Sequence, residues 1–566
     1  MNNQDPNSMD MEKRVFLVLM LSMLILLGVP YIYRQIYPAP PASQAPAVAR
    51  PKPAAVRPEA EAPPQAARTT PVAATSAKPE SVEIENDKLI LRWSNRGVTL
   101  ESALLKDMGA AGEKRTALEL IPQSLPATLP RPFQLRLEDE DVDSIVSGAF
   151  YAVDTGGRQG RLRAPAEVTF RYSGSGIEAW RKIRVPASGY AIEVEVEVRE
   201  SGRSLPYSVF LGPGIGASGY EVQGDFSNEQ IVFESGGSVE RYQKKHLDGG
   251  PQRLELSSRW VAMDSHYFSY LLMADGPKKL TLKKSDLFRN NAKAQKERVP
   301  LLSAQVGLGR APSFRAVFAP KGLETLRQID PGLTRLIDYG WFSLIVKPLL
   351  YALKAVYGWV GNYGWAIIIL TFLINLALFP VRYKQMVSMK KMSALQPKIK
   401  SIQDKYKRLK KDDPRRQEMN AEVMAVYKEH GVNPLGGCLP LLVQMPFLFA
   451  FYQMLAASFE LRGAHFIWWL KDLSKPDPYY ITPIVMGATW LIQTKITPGG
   501  GGTDPMQRRM MMMMPVVFTF FFLSASSGLA VYFLFSNLFG MMFQLVIQKL
   551  NPELMKPAVA GGAKKR

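Results

Sequence analysis

The feature that most constrains this chain is a series of long uncharged stretches in its C-terminal half. Residues 439–458 carry no charged side chain and are long enough to cross a bilayer as one helix. Four more stretches share this property in spanning or near-spanning length: 365–381, 480–494, 510–523 and 529–548. Hydrocarbon admits a backbone only when its polar groups are bonded internally, so such stretches favour helices. The pattern predicts an α-helical membrane bundle.

A sixth span is predicted at the N-terminus, where the apolar run 15–33 follows Lys13 and Arg14. The competing interpretation is a cleaved signal peptide, but the nearest small-x-small site, at residues 45–47, lies too far beyond the run. We therefore expect an uncleaved anchor with a cytoplasmic N-terminus. Residues 38–80 hold 11 prolines and 14 alanines, a composition typical of an extended tether.

The pattern changes to period two after the tether, which predicts a large, mostly antiparallel β domain up to about residue 320. Residues 82–93 and 168–172 each read as one strand in this pattern. The clearest strand alternates four apolar residues with four charged ones: Ile192, Val194, Val196 and Val198 with Glu193, Glu195, Glu197 and Arg199. This alternation explains the glutamates without a catalytic role.

Two further segments flank the second predicted span. Residues 344–360 contain Lys347 and Lys354, and a crossing there would put the following basic stretch outside, against the positive-inside bias. We expect an amphipathic helix on the outer surface instead. Residues 382–430 hold 14 Lys or Arg against 6 Asp or Glu, and a heptad seam predicts a basic antiparallel helical hairpin in the cytoplasm. The seam comprises Met392, Leu395, Ile399, Ile402, Tyr406 and Leu409, answered by Met419, Val423 and Val426.

These expectations define a multi-domain membrane protein with an all-β external domain and a helical bundle. The expected parts are an anchor (1–33), a tether (34–80), a β domain (81–325), a surface-helix segment (326–364), a membrane core (365–550) that includes the hairpin (382–433), and a basic tail (551–566). Both termini are expected in the cytoplasm.

The spans contain uncharged polar groups but no ionisable ones. Thr371 and Asn375 share a helix face, Gln444 lies near the inner end of its span, and Gln493 and Asn537 sit at similar depth. They serve either as hydrogen-bonding glue between helices or as the lining of a wet recess open to the cytoplasm, and composition leaves both open. A proton- or ion-coupled pump is disfavoured. Four scattered histidines and one cysteine predict neither a metal site nor another cofactor.

Several motifs resemble those of the YidC membrane protein insertases. Residues 433–446 are NPLGGCLPLLVQMP, 477–480 are DPYY, 503–507 are TDPMQ, 527–529 are SGL and 536–537 are SN. The order of parts matches as well. The resemblance implies the long form of the Gram-negative inner membrane, with a periplasmic β-supersandwich, six spans and a five-span core.

The resemblance also implies a non-enzymatic insertase and chaperone that needs no nucleotide. A hydrophilic groove would admit polar segments at Thr371, Gln444 and Tyr532, and apolar helices would leave along a substrate slide formed by Met445, Phe449, Phe518 and Phe522. Implied partners are nascent membrane proteins, the lipid bilayer, the Sec translocon, and the ribosome with the signal-recognition machinery. The ribosome contact would use five hairpin residues: Lys405, Lys407, Arg408, Lys410 and Lys411.

One departure from the family concerns the groove. The family usually has an arginine where this chain has Asn375, and Ser524 and Phe533 replace a tryptophan and a tyrosine found in some relatives. A neutral amide predicts weaker dependence on acidic substrate tails. Two other classes of function stay open at this point: a passive transporter or channel, and an envelope scaffold that acts through the β domain.

Overall fold

The computed structural model describes residues 78–106, 108, 117–123, 125, 129–216, 228–290, 296–406, 413, 415–431, 439–496 and 505–550. The predicted anchor and tail lie outside these residues, as does nearly all of the tether. The chain divides into two units. The described residues of one lie within 71–390 and 435–566, and those of the other lie within 391–434.

The N-terminal part of the larger unit consists of three sheets. The first contains β1 Ser81–Glu85, β2 Leu89–Ser94, β3 Thr99–Leu105, β4 Leu118–Glu119 and β7 Leu162–Arg163. The second contains β6 Ala152–Asp154, β8 Ala166–Gly174, β9 Ile177–Val185, β10 Ala191–Glu200, β11 Arg203–Ser204, β13 Gln230–Ser235, β14 Ser238–Tyr242, β16 Trp260–Asp264, β17 Phe268–Met273 and β20 Ser313–Pro320. The third contains β5 Leu135–Leu137, β12 Tyr207–Leu211, β15 Gln252–Leu256, β18 Lys278–Asn290 and β19 Lys296–Gly309.

Strand pairing in these sheets is antiparallel except between β1 and β7, within the described residues. The alternation predicted in β10 is confirmed, because Ile192, Val194, Val196 and Val198 are all buried. The prediction of one strand over residues 82–93 is wrong. The side chain of Asn86 accepts hydrogen bonds from the backbone N–H groups of Lys88 and Leu89, and this turn divides the segment into β1 and β2.

Helices form the rest of the described chain. Their bounds are α1 Glu140–Gly148, α2 Leu323–Ile329, α3 Ser343–Val360, α4 Tyr363–Ala377, α5 Phe379–Lys405, α6 Arg415–Glu429, α7 Leu439–Ala457, α8 Ile481–Ile496, α9 Pro505–Phe522 and α10 Ser527–Leu550. Short 3₁₀ turns cover Lys244–Leu247, Pro331–Leu336, Gly340–Phe342 and Phe459–Leu461.

The junction between α3 and α4 follows directly from two residues. Gly361 ends α3 in the left-handed conformation with φ 71°, which glycine adopts without steric cost. The side chain of Asn362 then accepts hydrogen bonds from the N–H groups of Gly364 and Trp365 at 2.9 and 3.2 Å and begins α4. At its other end, α4 is followed by α5 with a bend of 54° between their axes.

Two apolar cores stabilise the larger unit. One is formed by inward-facing residues of all three sheets, including Trp93, Val306 and Phe318. The other begins on the opposite face of the second sheet, at residues such as Trp260, and continues through α3, α4, α7 and α10. The β-rich part and the helical part therefore share a buried apolar interface.

The described residues contain fewer helices of membrane-spanning length than the six spans predicted from the sequence. Among the described residues, Ser343–Val360 and Ser527–Lys549 are long and apolar enough to cross, and the bent pair Tyr363–Ala377 with Phe379–Ser388 is a third if it counts as one span. Met445–Ala457 and Met512–Phe522 are shorter apolar helices. The β-rich region and the helical region are as predicted, whereas the six-span count and the surface position of α3 stay predictions.

Candidate functional site

Helix α10 is the centre of the helical part, since it packs against α4, α7 and α8. Five buried residues on it are polar or small and are spaced four apart: Tyr532, Ser536, Gly540, Gln544 and Gln548. A spacing of four keeps successive residues on nearly the same helix face. We call this set the polar stripe. It puts hydrogen-bonding groups on the interior side of an otherwise apolar helix.

The predicted pair on α4 is buried as well. Thr371 is fully buried and Asn375 is 2% exposed. The Thr371 hydroxyl donates to the carbonyl of Ile367 at 2.6 Å, and the Asn375 amide donates to the carbonyl of Thr371 at 2.7 Å. These bonds stay within one helix. The Oδ1 atom of Asn375 has no hydrogen-bond partner among the described residues, so one acceptor is available on this face.

The other predicted groove residues divide between the stripe and its neighbours. The ring of Tyr532 stacks on Phe451 of α7 with centroids 4.1 Å apart. The Nδ2 atom of Asn537 is buried without a hydrogen-bond partner in the described part of the chain. Gln493 of α8 reaches the stripe at Gly540. Gln444 is a residue of α7, but its side chain is not among those that the structure describes.

Arg382 is the site residue that the sequence patterns missed, because it was assigned to the cytoplasmic hairpin. It belongs instead to the unit that contains α8 and α10. A Cβ built on Gly540 would stand 2.9 Å from Nη1 of Arg382 and 2.7 Å from Nε2 of Gln493. The guanidinium is also within electrostatic range of the Tyr532 phenol. The sequence feature that could have identified Arg382 is its position as the first charged residue after an apolar run.

Three of the four predicted slide residues are partly exposed. Met445 lies on α7. Phe449 stacks on Phe342 with centroids 5.8 Å apart, and Phe518 makes an edge contact with Trp490 at 5.2 Å. Each aromatic ring is thus supported on one side.

Phe522 differs from the other predicted slide residues because it is 2% exposed and packs edge-on against Phe533 at 4.7 Å. The exposed apolar residues of α9 include Val517, Phe520 and Phe521, whose side chains are 57%, 71% and 52% exposed. The rotation of α9 about its axis turns Phe522 inward, away from the exposed face of this helix.

The DPYY motif has a structural explanation. The Asp477 carboxylate accepts hydrogen bonds from the backbone of Tyr479 at 3.0 Å, from the backbone and hydroxyl of Thr482 at 2.8 and 2.7 Å, and from the Trp469 indole at 3.3 Å. Burial raises the pKa of Asp477, but these hydrogen bonds outweigh it and hold the pKa below the ordinary 3.8. The carboxylate fixes the start of α8 to the preceding loop.

The predicted hairpin is described in part, within its own unit. Leu395 and Ile399 are buried against Met392, Val423, Val426 and Tyr427. Lys405 is exposed and lies 3.7 Å from Glu422. The other four residues predicted to contact the ribosome lie outside the described residues: Lys407, Arg408, Lys410 and Lys411.

The described residues contain no cluster of three or more His, Cys, Asp or Glu able to hold a metal ion. The polar stripe offers hydrogen-bonding side chains, and Arg382 beside it adds a positive charge.

Two family models match this chain. The YidC periplasmic domain matches residues 81–352, and the 60Kd inner membrane protein family matches residues 355–554. The boundary between the two matches falls within α3. Together they cover nearly all of the described residues.

Individual relatives match over almost the whole chain. A membrane protein insertase YidC from Geotalea daltonii is 32% identical across 96% of this chain and 100% of its own length. One from Citrifermentans bemidjiense is 34% identical across 95% and 99%. A solved YidC insertase structure is 17% identical, covers 84% of this chain and 94% of its own, and superposes with a TM-score of 0.36.

Proposed function

Because this chain belongs to the YidC family of membrane protein insertases, we propose that it inserts newly made proteins into the bacterial inner membrane. Full-length relatives at 32% and 34% identity support this assignment. Members of the family are insertases rather than enzymes, and this chain is not an enzyme. Nascent membrane proteins are its substrates.

The groove mechanism rests mainly on the buried polar stripe of α10. A peptide segment that must cross the membrane loses its hydration in hydrocarbon, and each unbonded polar group then costs several kcal/mol. Side chains such as Ser536 and Gln544 offer hydrogen bonds at that depth. The barrier for the polar segment falls, while burial of the substrate's apolar helix in lipid drives the process to completion.

The arrangement in the membrane is part of the same proposal. The β domain lies in the periplasm, and the N-terminus, the hairpin and the C-terminal tail lie in the cytoplasm. The six spans comprise the anchor and a core of five. The basic hairpin binds anionic groups of the ribosome or its targeting machinery. The Sec translocon takes part in the insertion of some substrates.

Reconstituted insertion tests the proposal most directly. Proteoliposomes that contain only this protein, without nucleotide, should insert a single-span substrate with a short polar tail, measured as a protease-protected tail. The double variant Asn375→Leu with Ser536→Leu should slow this substrate by drying the interior face. The control variant, Leu538→Ile with Leu545→Ile, changes exposed positions of α10 and should insert at the parental rate.

The result also separates the alternatives. If protein-free liposomes protect the substrate equally well, the insertase proposal fails, and a scaffold role becomes the better explanation. Release of a small trapped dye by the parent without substrate protection would favour a passive channel. If the double leucine variant inserts like the parent, the stripe serves only as glue between helices.

A further inference from the structure

A groove lies where the β domain meets α2 and the beginning of α3. Its walls come from the start of β14, from α2, from the 3₁₀ turn Pro331–Leu336 and from the first turns of α3. All of these elements belong to the larger unit. The groove has a volume of about 530 Å³, which is within the range of roughly 300–1,000 Å³ typical of small-molecule sites. None of the groove or slide residues considered above lines it.

The charge of this groove is mainly positive. Its lining contains three basic residues, Arg327, Arg335 and Lys347, and one acidic residue, Asp338. The Asp338 carboxylate lies 3.4 Å from the guanidinium of Arg241, which does not line the groove. The single negative charge is therefore already balanced from outside, and the basic residues determine the charge that a ligand would meet.

The three basic residues differ in their partners. Nη1 of Arg335 donates to the Glu234 carboxylate at 2.6 Å and to the Gly237 carbonyl at 3.2 Å, so its charge is held by the β domain. Arg327 and Lys347 are exposed and have neither a hydrogen bond nor an ion pair within the described residues. Two cations without a counter-ion, one on α2 and one on α3, are thus available to an anion in the groove.

Tyr339 adds a hydrogen-bond donor to the same groove. It is 5% exposed, and its hydroxyl has no hydrogen-bond partner in the described part of the chain. Burial raises the pKa of this phenol, so the group keeps its proton. Glu460 lies within electrostatic range of it but is paired with Lys354 at 2.5 Å. Since buried polar groups are nearly always hydrogen-bonded, an oxygen-rich ligand fits the wall that Tyr339 forms.

The surroundings of the groove favour a ligand that is apolar at its other end. Leu344, in the first turn of α3, is 86% exposed, and Tyr351, which lines the groove, is 53% exposed. With the β domain in the periplasm, the beginning of α3 lies at the outer membrane surface whether this helix follows that surface or crosses the membrane. Basic residues and tyrosine beside an exposed apolar face are typical of the headgroup level of a bilayer.

We propose that Arg327, Lys347 and Tyr339 bind the phosphate of an anionic phospholipid, whose acyl chains lie along the exposed face of α3. The assignment to a lipid rests on the membrane arrangement proposed above. Phosphatidylglycerol carries an unbalanced phosphate charge, whereas phosphatidylcholine carries its own cation, so the groove selects the former. Because α2 follows the last strand of the β domain, the bound lipid fixes this domain to the membrane surface.

Photoreactive lipids test this site in the full-length protein. Analogues of phosphatidylglycerol and phosphatidylcholine, each with the photoreactive group near the glycerol backbone, are added in mixed micelles, and crosslinked peptides are quantified by mass spectrometry. Residues 323–351 of the parent should be labelled about tenfold more by phosphatidylglycerol than by phosphatidylcholine. Labelling of the basic hairpin in the same sample measures bulk attraction between charges.

Four variants separate the site from bulk charge and from folding. Arg327→Gln with Lys347→Gln should lower phosphatidylglycerol labelling of residues 323–351 about tenfold and leave labelling of the hairpin unchanged. The control, Arg253→Gln with Lys279→Gln, removes two exposed charges from the third sheet and should label like the parent. Tyr339→Phe removes only the hydroxyl and should lower labelling about threefold. Arg327→Lys with Lys347→Arg keeps both charges and should retain most of the labelling.

Three results would overturn the site. Equal labelling of residues 323–351 by the two lipids in the parent would show no selection of an anionic headgroup. An equal loss in the double glutamine variant and in its control would assign the labelling to bulk charge. If inorganic phosphate competes as well as unlabelled phosphatidylglycerol, the groove binds free phosphate rather than a lipid. Labelling requires no substrate, so failure of the insertase function in reconstituted insertion would be a separate result.

Discussion

The β domain and the helical part bury polar groups in opposite ways. In the β domain, the Lys321 ammonium lies 2.9 Å from the Asp264 carboxylate, and both side chains are almost fully buried. Gln230 donates to the same carboxylate at 3.0 Å. In the helical part, buried groups such as Thr371 and Ser536 are neutral. A buried ion pair thus stabilises one region, whereas the buried polar groups between the helices of the other are mostly neutral.

The buried ion pair should give the largest effect. Lys321→Met leaves the Asp264 carboxylate buried without its cation, and breaking such a pair costs roughly 3–5 kcal/mol. The measurement is protease resistance of the β domain within the full-length protein, in detergent, at increasing urea. Lys88→Met is the control, because Lys88 and Asp87 form an exposed pair 3.7 Å apart, and such pairs contribute only about 0–1 kcal/mol. Equal losses in the two variants would remove the contrast between the regions.

Asp477 is an exception to this contrast, because it is a buried charged group beside the helical part. Its hydrogen bonds favour the ionised form and hold its pKa below the ordinary value. The stabilisation is therefore complete above the unfolded pKa of about 3.9 and is lost as pH falls through the lower folded pKa. Asp477→Ala should cost about 1–3 kcal/mol at neutral pH.

Protease cleavage of the loop at residues 462–480 measures this effect in the full-length protein. The parent should become more sensitive as the pH falls from the unfolded pKa of about 3.9 through the lower folded pKa, where the folded carboxyl group takes up its proton. Asp477→Ala should be sensitive at neutral pH and show a weaker response to acid. If Asp477→Ala responds to acid as strongly as the parent, the acid response comes from groups other than Asp477.

Thr371→Val should have the smallest effect. The hydroxyl bonds only to its own helix, and polar groups between membrane helices contribute about 0.6 kcal/mol on average. We expect a loss of thermal stability within about 1 kcal/mol in detergent. A loss as large as that of Lys321→Met would mean that neutral polar groups stabilise the helical part as ion pairs stabilise the β domain.

The sequence predicts a structural feature well when the contacts that form it join residues close together in the chain. The alternation at Ile192–Val198 requires only neighbouring residues, and β10 was predicted correctly. The turn at Asn86 depends on side-chain hydrogen bonds to the next two or three residues, which apolar spacing does not reveal. The DPYY motif singles out Asp477, but its hydrogen bonds from the Trp469 indole and from Thr482 form only in the folded loop.

The candidate site was predictable only in part for the same reason. Thr371 and Asn375 share a face because helix geometry alone puts residues four apart together. Arg382, Gln493 and Gly540 are separated by more than 40 residues from one another in sequence, and only the packing of three helices brings them together. The inward turn of Phe522 likewise depends on how α9 packs and not on its composition.

The bend after α4 has a consequence for the surrounding lipid. The 15 residues of α4 rise about 22 Å before the chain turns by 54° into α5. A typical hydrocarbon layer is about 30 Å thick, so a straight span of this length is too short for it. A crossing by α4 alone would require the lipid beside it to compress its acyl chains, at a cost of a fraction of a kcal/mol per Å. Hydrophobic mismatch of this kind would shorten the distance that a polar segment travels, and the acyl-chain length of the host membrane would tune the rate of insertion.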